Sequence, residues 1–278
     1  MSNILKESFL ASILITALYL VLFYPLVLIN KFDWFDMLLV TLSISPGIFI
    51  MVTIYNLDEY DKEPLWLLAL AFIFGAINLH LDIDILDFLF SLITAENDFI
   101  RIGEEALSVG FTEELLKFLV VMLIIYPNKN FDEPFDGIVY SVFVGMGFAT
   151  AENMTFVLQG GAGLAVMRML SAIPAHFVFA VLMGYYLGKA KSSKNSQFLF
   201  IGLSLLIPVL IHSLYDYFLF LDFVPGLWIG GIVTLILAFL IAKKYARGNS
   251  SIVDSKLLHF HECGFNPSIP CDENPPAR

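Results

Sequence analysis

Eight side chains that can move protons or hold charge, with Asn153 beside one of them, stand inside apolar stretches where such groups are rare. Glu113, Glu114 and Lys117 lie in one stretch, and Glu152 with Asn153 in the next. Arg168 and His176 lie in a third, and His212 with Asp216 in a fourth. An ionisable group at a bilayer centre costs at least about 2.5–3.5 kcal/mol, so these residues together imply about 20 kcal/mol before they pair. They must face one another or a wet cavity. The spacing agrees. Glu113 and Lys117 are i,i+4, Glu114 and Lys117 are i,i+3, and His212 and Asp216 are i,i+4, so each set shares a helix face. Salt bridges of Lys117 with a glutamate, and of Arg168 with Asp216 or Glu152, would neutralise two pairs. Two carboxylates and two histidines would be left over. Glu113, Glu114, His176 and His212 are the groups needed to activate water near neutral pH. A carboxylate held away from water takes up a proton more readily, and two adjacent glutamates can divide the protonated and charged roles. One histidine can pass a proton to a leaving amine, while the other, or a metal, steadies the oxyanion.

The elements that must position these groups are membrane helices. The chain has 278 residues, 58% of them hydrophobic and 15% charged, with a net charge of -11. Soluble domains are about 45–50% apolar and about 25% charged. This excludes a soluble enzyme, a disordered chain and a nucleic-acid binder, since phosphate backbones need cationic partners. A span needs about 20 apolar residues. Eight runs qualify, near 8–29, 34–55, 64–80, 105–126, 136–158, 164–188, 198–220 and 224–242. The expected fold is an all-α, polytopic membrane bundle of about eight transmembrane helices. Residues 1–247 form one transmembrane domain, and 248–278 a polar, disordered cytoplasmic tail. The first run is too long for a signal-peptide core and reads as a permanent helix.

Eight spans put both termini on one side. That side carries Lys6, Lys62, Lys129, Lys189, Lys191, Lys194, Lys243, Lys244 and Arg247, against Lys31 and Arg101 opposite. The positive-inside rule places both termini in the cytoplasm. Counted from the outer boundary, the polar groups of four spans then fall about 6–18 Å deep, in one layer. Loop 81–104 alternates acidic and apolar residues, as a surface-lying segment or a solvated connector does. Residues 159–163 make a tight outer turn. Gly137, Gly145, Ala149 and Gly147, Ala151 recur at close to helical spacing and predict tight helix contact. Pro174 and Pro208 predict bends beside the two histidines. Asp132, Glu133 and Asp136 read as a turn and an N-cap with Pro134.

Four motifs in order carry a family resemblance. They are Asp61-Lys62-Glu63-Pro64, Glu113-Glu114-Leu-Leu-Lys117, Phe131-Asp-Glu-Pro-Phe-Asp136-Gly-Ile-Val-Tyr140 and Gly147-Phe-Ala-Thr-Ala-Glu152-Asn153, followed by the two late histidines. Over residues 58–218 the chain resembles the PrsW family of intramembrane proteases, within the wider group of CAAX prenyl proteases. The resemblance implies site-1-type cleavage of a single-pass, membrane-anchored substrate, such as an anti-sigma factor, in a bacterial-type cell membrane. It implies that Glu113 or Glu114 activates water and that His176 and His212 complete the site. Lys117, Glu152, Asn153, Arg168 and Asp216 support them. The prenyl proteases place an asparagine four residues after the late histidine, and this chain has Asp216 there.

Family members are also classed as metalloproteases, and Glu152, His176 and His212 could supply a three-ligand zinc site. No H-E-x-x-H motif is present. Water activation without a metal is the leading expectation, a zinc-dependent version the alternative. A proton-coupled transporter is the reading from another class, because buried carboxylates and histidines also build proton relays. Against it, the polar groups occupy one layer rather than a chain across the membrane. Ser171 lacks a nucleophile elbow. His259, His261, Cys263 and Cys271 in the tail match no common zinc spacing.

Overall fold

A computed structural model describes residues 4–17, 34–58, 62–79, 97–193, 195–221, 226, 229–234, 236–237 and 240. Every regular element among them is helical. Six bounded helices follow in order: α1 (Trp34–Leu57), α2 (Leu65–Asn78), α3 (Asp98–Val120), α4 (Asp136–Leu170), α5 (Ala172–Ser192) and α6 (Gln197–Phe220). Residues 4–17 and 229–234 are helical as well. Among the described residues, three stretches are long and apolar enough to cross a membrane: Trp34–Leu57, Gly160–Ser192 and Gln197–Phe220. The expected short third span is α2, with 14 residues. The second half of the expected first span, loop residues 81–96, about half of the last span, His80 and the tail lie outside the described residues.

Two boundaries differ from expectation. The fourth span begins at Asp98, not 105, because Asn97 accepts the Phe99 N–H through its side chain at 2.8 Å and starts the helix early. It ends in a π-helical turn, Val121–Ile125. Asp136 does not cap α4. Phe135 holds the N-cap position without a side-chain bond. The Asp136 carboxylate instead accepts the backbone N–H groups of Asp132 (2.8 Å) and Glu133 (2.6 Å), closing the preceding turn.

The expected turn at 159–163 is present inside α4. Its two arms meet at Gly161, whose φ of 73° only glycine adopts readily. The second arm runs to a bend at Ser171, where α5 begins. Pro174 lacks the N–H that would bond the Leu170 carbonyl, which accounts for the bend. The first arm of α4 and α5 lie antiparallel: Gly137 meets Gly184 and Gly188, and Gly145 meets Ala180. A Cβ on Gly137 would sit 2.3 Å from the Gly184 carbonyl oxygen, so the expected glycine contact is there and leaves no room for a side chain.

The first arm of α4 is the hub, packed against α1, α2 and α5, while α3 packs on α6 and α6 on α5. Ile138, Val139, Tyr140, Val142, Val144 and Met146 are all fully buried in that arm. Helix α6 shows the solvent that shaped the bundle. Leu206, Leu210 and Leu214 face outward, while Ser204, His212, Ser213 and Asp216 are buried. Apolar-out and polar-in is the arrangement a bilayer requires, because lipid cannot satisfy polar groups.

Candidate active site

Four helices bring their polar groups to one point. Helix α3 contributes Glu113, Glu114 and Lys117, α4 Glu152, α5 His176, and α6 His212 with Asp216. The approach of α3 to α6 is set at Gly110, where a Cβ would lie 2.5 Å from the Ser213 hydroxyl oxygen. One turn later on α3, Glu114 Oε1 reaches His212 Nδ1 at 3.0 Å.

The Lys117 ammonium sits at the centre and is almost wholly buried. Its Nζ lies 2.8 Å from Glu114 Oε1, 3.3 Å from Glu113 Oε2 and 3.1 Å from His176 Nδ1. These acceptors use its three protons. It also lies 4.1 Å from the centre of the Phe148 ring, a cation–π contact. Because an ammonium can only donate, His176 Nδ1 must accept. The ring proton is then on Nε2, which donates to Glu152 Oε2 at 2.8 Å.

His212 is held differently. Its Nδ1 faces Glu114 and its Nε2 faces Asp216 Oδ2 at 3.2 Å, with Glu113 Oε2 at 3.9 Å. Both ring nitrogens therefore meet carboxylate oxygens, and both must donate unless one binds a metal. Phe179 stacks on this ring at 4.6 Å, and the two histidine rings stand perpendicular at 5.5 Å. Arg168 pairs with Glu152 Oε1 at 2.7 Å and donates from Nε to Asn153 Oδ1 at 2.8 Å. Of the two expected partners, Arg168 thus takes Glu152. The carboxylates differ in access: the Glu113 side chain is 17% exposed, Glu114 0%.

Every expected site residue thus belongs to one cluster or its immediate support. Phe148 and Phe179 were missed, although Glu152 minus four and His176 plus three are helical spacings that place rings beside those groups. Ser171, weighed for a hydrolase nucleophile, donates to the Met167 carbonyl and takes no part.

The ligand sets differ from the expected Glu152, His176 and His212. Two trios bring their ligand atoms within 4.8 Å of one another: Glu113, Glu152, His176 and Glu113, Glu114, His212. The two histidines are drawn to different carboxylates, so Glu113 is the common member and sequence reasoning omitted it. Carboxylate and imidazole donors suit a divalent ion. Glu114 Oε2 is buried with no hydrogen-bond partner among the described residues, an oxygen free to take a ligand. The residues fit a metal.

Comparison with known proteins gives the family. Residues 63–242 match the PrsW family of intramembrane metalloproteases. This chain belongs to the PrsW family. It is 37% identical over 182 residues to Protease PrsW of Geobacillus kaustophilus, covering 65% of this chain and 79% of that one. It is 35% identical over 185 residues to Protease PrsW of Bacillus subtilis, covering 65% and 82%. It is 35% identical over 191 residues to Protease PrsW of Clostridioides difficile, covering 66% and 79%. No solved structure matches. The protein is therefore a peptidase and an integral membrane protein, and the PrsW family implies a membrane-embedded substrate. The matched region reaches from the approach to α2 past α6, so it contains the whole cluster.

Proposed function

We propose that this PrsW-family protease hydrolyses one peptide bond of a single-pass, membrane-anchored substrate near the outer face of the bilayer, as in site-1 cleavage of an anti-sigma factor. The observation that carries the reading is the convergence of Glu113, Glu114, Glu152, His176 and His212 around one buried ammonium. Glu113 is the base, because it alone of the adjacent pair retains access to solvent. Glu114 orients Lys117 and His212. Glu113 takes a proton from water, and the hydroxide adds to the scissile carbonyl carbon. His212 donates to the oxygen that gains charge. The proton on Glu113 passes to the amide nitrogen as the C–N bond breaks, and the new carboxylic acid yields its proton to the amine, leaving a carboxylate and an ammonium. Glu113 with Glu152 and His176, or with Glu114 and His212, would hold a zinc ion. When bound, zinc supplies a Lewis acid for the carbonyl and lowers the pKa of its water.

The test compares single-pass membrane proteins in cells that carry the wild type or Glu113→Gln. A substrate that stays full length only in the variant supports the reading. Identical fragment patterns would reject the assignment of Glu113. Orientation is tested by cysteine labelling at Ser193 and Asn97. The basic-residue split predicts that Ser193 is reached only from the cytoplasm and Asn97 only from outside.

A further inference from the structure

Two of the sequence motifs take no part in the catalytic cluster, yet the fold joins them. Lys62-Glu63-Pro64, the described part of the first motif, leads into α2, and Phe131 to Tyr140 leads into α4. They meet at the end of α4 remote from Glu152, sixteen residues away and so about 24 Å along the helix. We propose that Glu63 and Asp136 share one proton and form a latch that seats the start of α2 on the first turn of α4.

The geometry supports it. Glu63, Asp136 and Tyr140 are buried to 4%, 1% and 0% exposure. The Tyr140 hydroxyl donates to Glu63 Oε2, and Asp136, one helical turn before Tyr140 on α4, presents its carboxyl to the same Glu63 carboxyl. Two carboxylates cannot bond without a proton between them. The backbone N–H groups of Asp132 and Glu133 donate to Asp136 Oδ2. These favour the charge on Asp136 as the Tyr140 hydroxyl favours it on Glu63, so one proton serves both carboxyls.

Among the described residues, no cation replaces that proton. Lys62 donates to the carbonyls of Tyr55 (2.7 Å) and Asp58 (2.9 Å) and lies 4.4 Å over the Tyr55 ring. Lys191 of α5 lies over the Tyr126 and Phe131 rings and donates to the Tyr126 carbonyl. The other charges facing Glu63 are Asp58 at the end of α1 and Asp132 in the turn, both of which oppose its ionisation. Burial is the larger cause and pushes the Glu63 carboxyl up from 4.5 to about 7. A folded-state value above the unfolded one gives stability that is full below about 4.5 and is lost as pH rises through about 7. Ionising Glu63 leaves one proton for the pair to share, and the latch loosens at still higher pH, when that proton leaves and two carboxylates face each other.

Amide hydrogen exchange on the full chain in lipid nanodiscs tests this. The reporters are the Leu67 and Leu68 N–H groups, both bonded to the Pro64 carbonyl in the first turn of α2. With rates corrected for intrinsic base catalysis, the wild type should lose protection by about tenfold between about pH 5 and about pH 10. Asp136→Asn offers a donor at every pH and still accepts the two backbone N–H groups, so its protection should change less than about twofold. Glu63→Gln should behave likewise and guards against misfolding of the first variant. A flat wild-type profile overturns the latch. So does a pH response that survives in both variants.

Discussion

Lys117 decides how the catalytic cluster holds together. A buried carboxylate such as Glu114 survives in an apolar bundle only with a permanent partner, and Lys117 supplies it at 2.8 Å. Removing one partner of such a pair costs about 3–5 kcal/mol. Lys117→Met should therefore lower the thermal midpoint in detergent sharply. Lys117→Arg should fold but cut poorly, because a planar fork cannot reach three acceptors arranged around a point charge. Unchanged activity in Lys117→Arg would mean that the ammonium does no more than neutralise. Glu113→Gln and Glu114→Gln should each slow cleavage by about 10²–10⁴-fold in a folded, inserted protein. If both cut at the wild-type rate, neither acid is catalytic. Part of this site was legible in the sequence. Helical spacing gave the Glu113–Lys117, Glu114–Lys117 and His212–Asp216 pairs. The contact of Lys117 with His176 was not legible, because 59 residues and a helical hairpin separate the two. The sharing of Glu113 between two ligand trios was hidden for the same reason.

At the scale of elements, packing fixes the distance across which the chemistry works. Apolar burial does little to join helices in lipid, so close backbone contact and polar bonds must do it. The hairpin of α4 and α5 does this at Gly137, Gly145 and Gly184, where added Cβ atoms would lie within 2.8 Å of neighbouring atoms. Gly137→Val and Gly145→Val should push the arms apart and separate Glu152 from His176, now 2.8 Å apart. Both should lose cleavage and thermal stability together. Gly202→Val is the control, because nothing lies within 4 Å of a Cβ there, and it should retain both. Equal behaviour of the three variants would show that the hairpin tolerates separation. The glycine spacing, the turn at 159–163 and the bend near Pro174 could be read in advance, since each is a local property of the backbone. The early start of α3 and the backward-facing Asp136 could not. A polar side chain at a helix end can bond to either side, and only the surrounding loop chooses.

At the scale of the molecule, the depth of the cluster predicts where a substrate is cut. Glu152 lies sixteen residues beyond Asp136, His176 sixteen before Ser192, and His212 fifteen beyond Gln197. Three helices thus place the site about 22–24 Å from the same end of the bundle. The hydrocarbon core is about 30 Å thick, so the site belongs to the opposite half. The near end carries Lys189 and Lys191, whose chains lie against Tyr185, Phe200, Tyr126 and Phe131 as interfacial lysines do. Nine basic residues against two predict that this end faces the cytoplasm. The site then opens toward the outside. A scissile bond must reach it unwound, because a helix holds its carbonyls in internal hydrogen bonds, and unwinding is easiest where water can satisfy the freed groups. Cleavage should therefore fall within or just beyond the outer end of the substrate's transmembrane helix. Mass spectrometry of the two fragments locates it. A cut at the cytoplasmic end of that helix would contradict either the orientation or the depth. Labelling at Ser193 and Asn97 tells these apart: reversed access indicts the orientation, and the expected access indicts the depth.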